Sequence, residues 1–204
     1  MTTHVKTAHL SVAVDLQNEA SSTKIFGFWV YLMTDLTIFA ALFACFLVLH
    51  GNSFDGPKLK ELYHLGPVLY ETLCLLTSTL TCALGLLAAY RAQKGASILF
   101  FILTFCLGAA FLFLEISEFI SFIGQGAGPE RSAALSSFFT LVGTHGFHIT
   151  CGLIWMVIMM FRIGLYPLTH HALSRIFCMA LFWHFLDFVW IFIFTVVYGI
   201  GYLL

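Results

Sequence analysis

SILFFILTFCLGAAFLFLEISEFISFI, residues 97–123, is the stretch that decides the fold. Its only formally charged residues are Glu115 and Glu118, and its apolar side chains run continuously instead of alternating. As a helix rising 1.5 Å per residue it would be about 40 Å long, more than a ~30 Å hydrocarbon core requires. A β-barrel strand would be shorter and would alternate apolar with polar positions, so this run excludes one. Outward from it, similar apolar runs fall at 26–50, 66–90, 133–161 and 175–203. The breaks between them hold Gly, Pro, Asn and charged residues, as turns do. The pattern predicts one all-α membrane domain over 25–204, a bundle of five transmembrane helices, preceded by a polar tail over 1–24.

Composition agrees. Of 204 residues, 60% are apolar and 9% charged, with a mean hydropathy of +0.97, against about 25% charged in soluble domains. The net charge of −1 and the lack of a basic tract argue against nucleic acid as a partner. Cys45, Cys74, Cys82, Cys106, Cys151 and Cys178 all lie in apolar runs without paired metal or redox spacing, and read as small hydrophobes. The first 24 residues lack Arg and a short apolar core, so neither a transit nor a secretory leader fits.

Six bases (Lys6, Lys24, Arg91, Lys94, Arg162, Arg175) fall on the side of the N-terminus, and three (Lys58, Lys60, Arg131) on the other. The positive-inside rule then predicts a cytoplasmic N-terminus and a periplasmic C-terminus. Trp29, Tyr31, Tyr198 and Tyr202 suit interfacial anchoring. On the fourth span Ser136, Thr140, Thr144, His148 and Gly152 recur every four residues, with Gly143 and Gly146 beside them. Small residues at such spacing favour close helix packing, which is the expectation for them.

The spans also carry Asp35, Glu71, Glu115, Glu118 and Asp187, with His145, His148 and His184. A carboxylate at mid-bilayer costs about 2.5–3.5 kcal/mol on insertion scales, so these acids require protons, water, hydrogen bonds or a partner chain. Depth arithmetic puts Asp35 and His184 each about 15 Å from the inner ends of their helices, so a bond between them is expected. Glu71, Glu115 and Glu118 form a separate group toward the outer side. Glu115/Glu118, His145/His148 and His184/Asp187 are each spaced i, i+3, where two side chains share a helix face and could meet one metal. Their depths disagree, however, and no Glu-x-x-His repeat occurs on two helices. Haem ligation by His145 or His148 with His184 is the corresponding redox alternative. A transporter would be expected to show inverted repeats and broken helices, and neither appears.

Three stretches carry a resemblance: KIFGFWVYLMTD over 24–35, GPERSAALSSFFTLVGTHGFHITCGLIWM over 128–156, and LFWHFLDFVWIFIFTVVY over 181–198. In this order they resemble the haem-copper oxidase subunit III family, over roughly residues 22–204, and most closely its branch from bacterial ubiquinol oxidases. The resemblance implies a non-catalytic subunit of a proton-pumping terminal oxidase that passes electrons from ubiquinol to oxygen; a cytochrome c oxidase subunit is the alternative. It implies that haems and copper belong to subunit I, that the partners are subunits I, II and IV, that phospholipid is bound, and that the chain lies in the bacterial inner membrane. The family's buried acid on the matching helix, usually Glu and linked to proton uptake, falls at Asp35. The longer relatives have seven helices, and the first two, which shape a lipid-holding cleft, have no counterpart here.

Overall fold

The computed structural model describes residues 2–50 and 65–199, with side chains from Ser22 onward. All its regular structure is helical: α1 (Thr2–Leu49), α2 (Leu65–Tyr90), α3 (Lys94–Gly124), α4 (Ala133–Leu165) and α5 (His170–Ile193), the last running into a π-helical turn, Phe194–Tyr198. Each has a stretch long and apolar enough to span a membrane: Ser22–Leu49, Gly66–Tyr90, Lys94–Gly124, Ala133–Leu165 and His171–Val197. The polar tail continues α1 as helix over 2–21. The loop bearing Lys58 and Lys60, and Tyr202, lie outside the described residues, as do the side chains of Lys6 and Tyr198.

Local chemistry fixes the ends. The Ser132 side chain accepts from Leu135 N–H to start α4, and Thr169 does the same with Ala172 N–H for α5, each satisfying a donor the first helical turn leaves free. The cap at Thr169 starts the last span ahead of Arg175, and α4 runs past Arg162 to Leu165. Both bases therefore sit inside helix ends, where a long side chain can reach the interface. Between α2 and α3 the chain turns through Ala92 at φ 57°.

α5 is the hub. It packs on α1, α2 and α4, and Trp183 and Trp190, two turns apart, are both buried. Trp183 donates its indole N–H to Ser78 Oγ of α2 at 3.0 Å. A Cβ added at Gly108 of α3 would come within 2.7 Å of the Trp183 ring, and one at Gly152 of α4 within 3.2 Å. One side chain thus joins four helices, and two glycines make its slot. α2 and α3 close against each other through Ser97 Oγ donating to Gly85 O at 3.0 Å and the Thr81–Thr104 hydroxyl pair at 2.8 Å.

The fourth-span stripe divides. Steps of four residues drift about 40° each around a helix, so Ser136 and Gly152 are about 160° apart. Gly152 packs on Trp183, His148 is half-buried, and Ser136 and Thr140 are exposed. Thr140 and Thr144 hydroxyls donate back to Ser136 O and Thr140 O of their own helix. Gly146 meets Glu115 of α3, whose Oε1 would be 2.8 Å from an added Cβ, whereas the nearest atom to a Cβ at Gly143 is 3.8 Å away.

Candidate functional site

The intramembrane polar residues fall into two regions. The first is the seam between α1 and α4. Asp35 is buried, and its Oδ2 lies 3.7 Å from His148 Nε2. His148 Nδ1 lies 2.7 Å from Thr144 O. Because a carbonyl only accepts, Nδ1 carries a proton, and Nε2 is left to face the carboxylate. Tyr31, one turn before Asp35, directs its hydroxyl toward the same carboxylate. Phe39, one turn after, packs on both His145 and His148. Its ring also lines an apolar groove of about 350 Å³ between α1 and α5, with Leu36, Phe43, Phe188 and Phe192.

The expected partner of Asp35 is thereby corrected. The histidine that faces Asp35 is His148, whereas His184 Nδ1 donates to Ala180 O at 2.6 Å and its ring lines a second shallow groove with Trp29, Leu32 and Phe185. Equal depth on two helices says nothing about which faces meet. Asp187, one turn beyond His184, turns inward and meets Thr79 of α2.

The second region is sealed within α2, α3, α4 and α5. Glu71 and Glu115 are buried, and none of their four carboxyl oxygens has a hydrogen-bond partner among the described residues. Glu115 interacts electrostatically with Glu71 and Glu118, and its carboxyl rests on the Gly146 backbone. His145 is also fully buried, and neither ring nitrogen has a hydrogen-bond partner among the described residues. Trp190 stacks on it at 5.3 Å and Phe111 meets it edge-on at 5.9 Å. The Trp190 N–H goes to Thr72 Oγ1 at 3.2 Å.

These arrangements do not suit a metal or haem. His145 is enclosed by rings, His148 is turned to Asp35, and His184 is bonded to its own helix. Among the described residues no three His, Cys, Asp or Glu side chains gather as a metal site would need. The His145/His148 and His184/Asp187 pairs each split between two environments, whereas Glu115 and Glu118 stay together beside Glu71. Tyr31, Thr79, Trp183 and Trp190 are site-forming residues that the reading of charges alone passes over. Their signal is positional: Tyr31 lies four residues before Asp35, and the two tryptophans lie seven apart on one helix face.

A family model described as cytochrome c oxidase subunit III matches residues 17–202, nearly the whole chain. The chain belongs to the cytochrome c oxidase subunit III family. Its similarity to proteins named as quinol oxidase subunits extends over most of the chain. It is 46% identical over 207 residues to the cytochrome bo(3) ubiquinol oxidase subunit 3 of Pseudomonas aeruginosa, covering 98% of this chain and 99% of that one. It is 41% identical over 180 residues to the protein of the same name from Buchnera aphidicola, covering 88% and 93%. To the quinol oxidase subunit 3 of Bacillus subtilis it is 37% identical over 198 residues, covering 97% of each.

Proposed function

We propose that this chain is subunit 3 of a bacterial ubiquinol oxidase of the cytochrome bo(3) type, and that it is an accessory subunit without a catalytic centre. The observation that carries this reading is the 46% identity along 98% of the chain to a bo(3) subunit 3. The scattered environments of His145, His148 and His184 support leaving electron transfer to other subunits. The chain lies in the inner membrane with its N-terminus cytoplasmic and its C-terminus periplasmic, and it is held to subunit I, with subunits II and IV as further partners.

Mechanistically, α1 is the side that meets the rest of the complex. It is an apolar span with few neighbours of its own, flanked by grooves that suit acyl chains or a neighbouring helix. The Asp35–His148 pair beneath that surface is the proton-active element, since an imidazole and a carboxylate 3.7 Å apart can exchange a proton through small movements or a bridging water. Bound lipid beside α1 keeps water ordered there. Deleting this chain from its oxidase tests the reading: oxygen reduction with ubiquinol is expected to begin at a near-normal rate and to decline faster during turnover. Unchanged assembly and unchanged durability would remove the accessory role.

A further inference from the structure

The contact between α3 and α4 is closed in the middle of the bundle and open at one end. In the middle, Leu153 of α4 comes within 3.1 Å of a Cβ added at Gly108 of α3. Toward the start of α3 the helices part and leave an apolar groove of about 360 Å³. The half-buried Ile98, Val157 and Met160 floor it, and the exposed Ile102, Phe161 and Leu165 wall it. Gly164 keeps it open, since no atom lies within 4 Å of a Cβ added there. The mouth of the groove carries charge. Lys94, one turn before Ile98, reaches across to the end of α4 and donates from Nζ to Tyr166 O at 3.0 Å. An ammonium has three N–H donors, so this bond fixes the charge over the groove and leaves two donors for an anion. Arg91 is exposed in the adjoining turn, and residues 90–102 and 157–175 contain no Asp or Glu. Tyr90 and Tyr166, both exposed, stand at the same end of the bundle, as rings at a headgroup boundary do.

We propose that this groove holds one acyl chain of an anionic phospholipid, with the headgroup phosphate on Lys94. Its length suits a lipid chain better than a helix of another subunit. From Val157 to Leu165 is about 12 Å at 1.5 Å per residue, within the ~15 Å that one leaflet contributes to a ~30 Å core. A spanning helix needs a face along the whole depth, and here the groove stops where Leu153 meets Gly108. Its charge suits an anionic head. A base held at the mouth of a groove between helices attracts a phosphate, and a rim without acids adds no repulsion. A zwitterionic head would bring a second cation beside Lys94 and Arg91. The site shares no lining residue with the two grooves flanking α1, and it does not depend on which oxidase the chain serves.

Photolabelling of the tag-purified complex in vesicles of mixed phosphatidylglycerol and phosphatidylcholine tests this. Each lipid is added in turn as a tracer with a diazirine in one acyl chain, and labelled peptides are mapped by mass spectrometry. The phosphatidylglycerol probe is expected to label residues 98–102 and 157–165 several-fold more than the phosphatidylcholine probe. Lys94→Gln is expected to bring the two probes to parity and Lys94→Arg to restore the preference. If Lys94 only caps α4, the ratio stays the same in both variants and the headgroup site is refuted. Gly164→Leu, which fills the groove without altering charge, is expected to lower labelling by both probes here and to leave labelling of α1 as in wild type. Should the variants fail to assemble, the wild-type complex decides. Its preference for phosphatidylglycerol is expected to fall at high salt, which screens charges at the membrane surface. Equal labelling by the two probes, or a preference that salt does not change, would overturn the anionic headgroup. Cross-links from these residues to another subunit in place of lipid would overturn the site.

Discussion

α1 and α5 are both apolar enough to span a membrane, yet in the most apolar stretch of α5 61% of residues are buried, against 22% in α1. The acids near them differ in the same way. Asp35 on α1 has a histidine across one seam and an open groove nearby, whereas Glu71 and Glu115, close to the hub helix, are enclosed on every side. Hydropathy fixes that a helix is in the membrane. Neighbours decide whether it faces its own chain, and that difference separates a structural interior from a surface available to other molecules.

Substitutions sharpen this contrast. The largest effect is expected from Trp183→Ala, which empties the slot shared by four helices. Removing a buried aromatic costs about 3–5 kcal/mol, so the complex should lose this subunit during purification in mild detergent, as a subunit count would reveal. Gly146→Ala comes next. Its methyl group would meet the Glu115 carboxyl at 2.8 Å, and overpacking of this sort costs about 1–3 kcal/mol. Thermal dissociation of the complex should move to lower temperature. Gly143→Ala, three residues away but with 3.8 Å of clearance, should leave the same dissociation curve in place, so equal shifts in the two variants would break the distinction between sealed and open positions.

At the seam the expected effect is smaller on assembly and selective for turnover. Asp35→Asn and His148→Gln keep polar side chains of similar size and remove the facing carboxylate and imidazole. Both should retain normal subunit composition and shorten the number of turnovers before inactivation. Wild-type turnover, pumping stoichiometry and inactivation in both variants would reduce this chain to an assembly role.

Much of this architecture is legible in the residues. Continuous apolar runs set the number of spans and the turn residues set the breaks, because the bilayer imposes both length and backbone satisfaction. The ends of α4 and α5 are less legible, since Arg162 and Arg175 look like loop residues until the cap at Thr169 and the reach of a long side chain are considered. The site was readable as a set of residues and unreadable as a set of pairs. Depth can be counted along each helix, but the rotation of one helix against another depends on features such as the glycine slot around Trp183. That rotation gives Asp35 to His148, and it turns Ser136 and Gly152 of one four-residue stripe to different surroundings.

The most direct test of the subunit assignment is to purify the chain through a tag in mild detergent, with its natural partners and again when expressed alone, and to record optical spectrum, metal content and ubiquinol oxidase activity. Haem, copper and activity are expected only in the preparation that contains larger subunits. Stoichiometric haem or metal on the chain alone would contradict the account and make ligands of the histidines assigned here to packing and proton exchange.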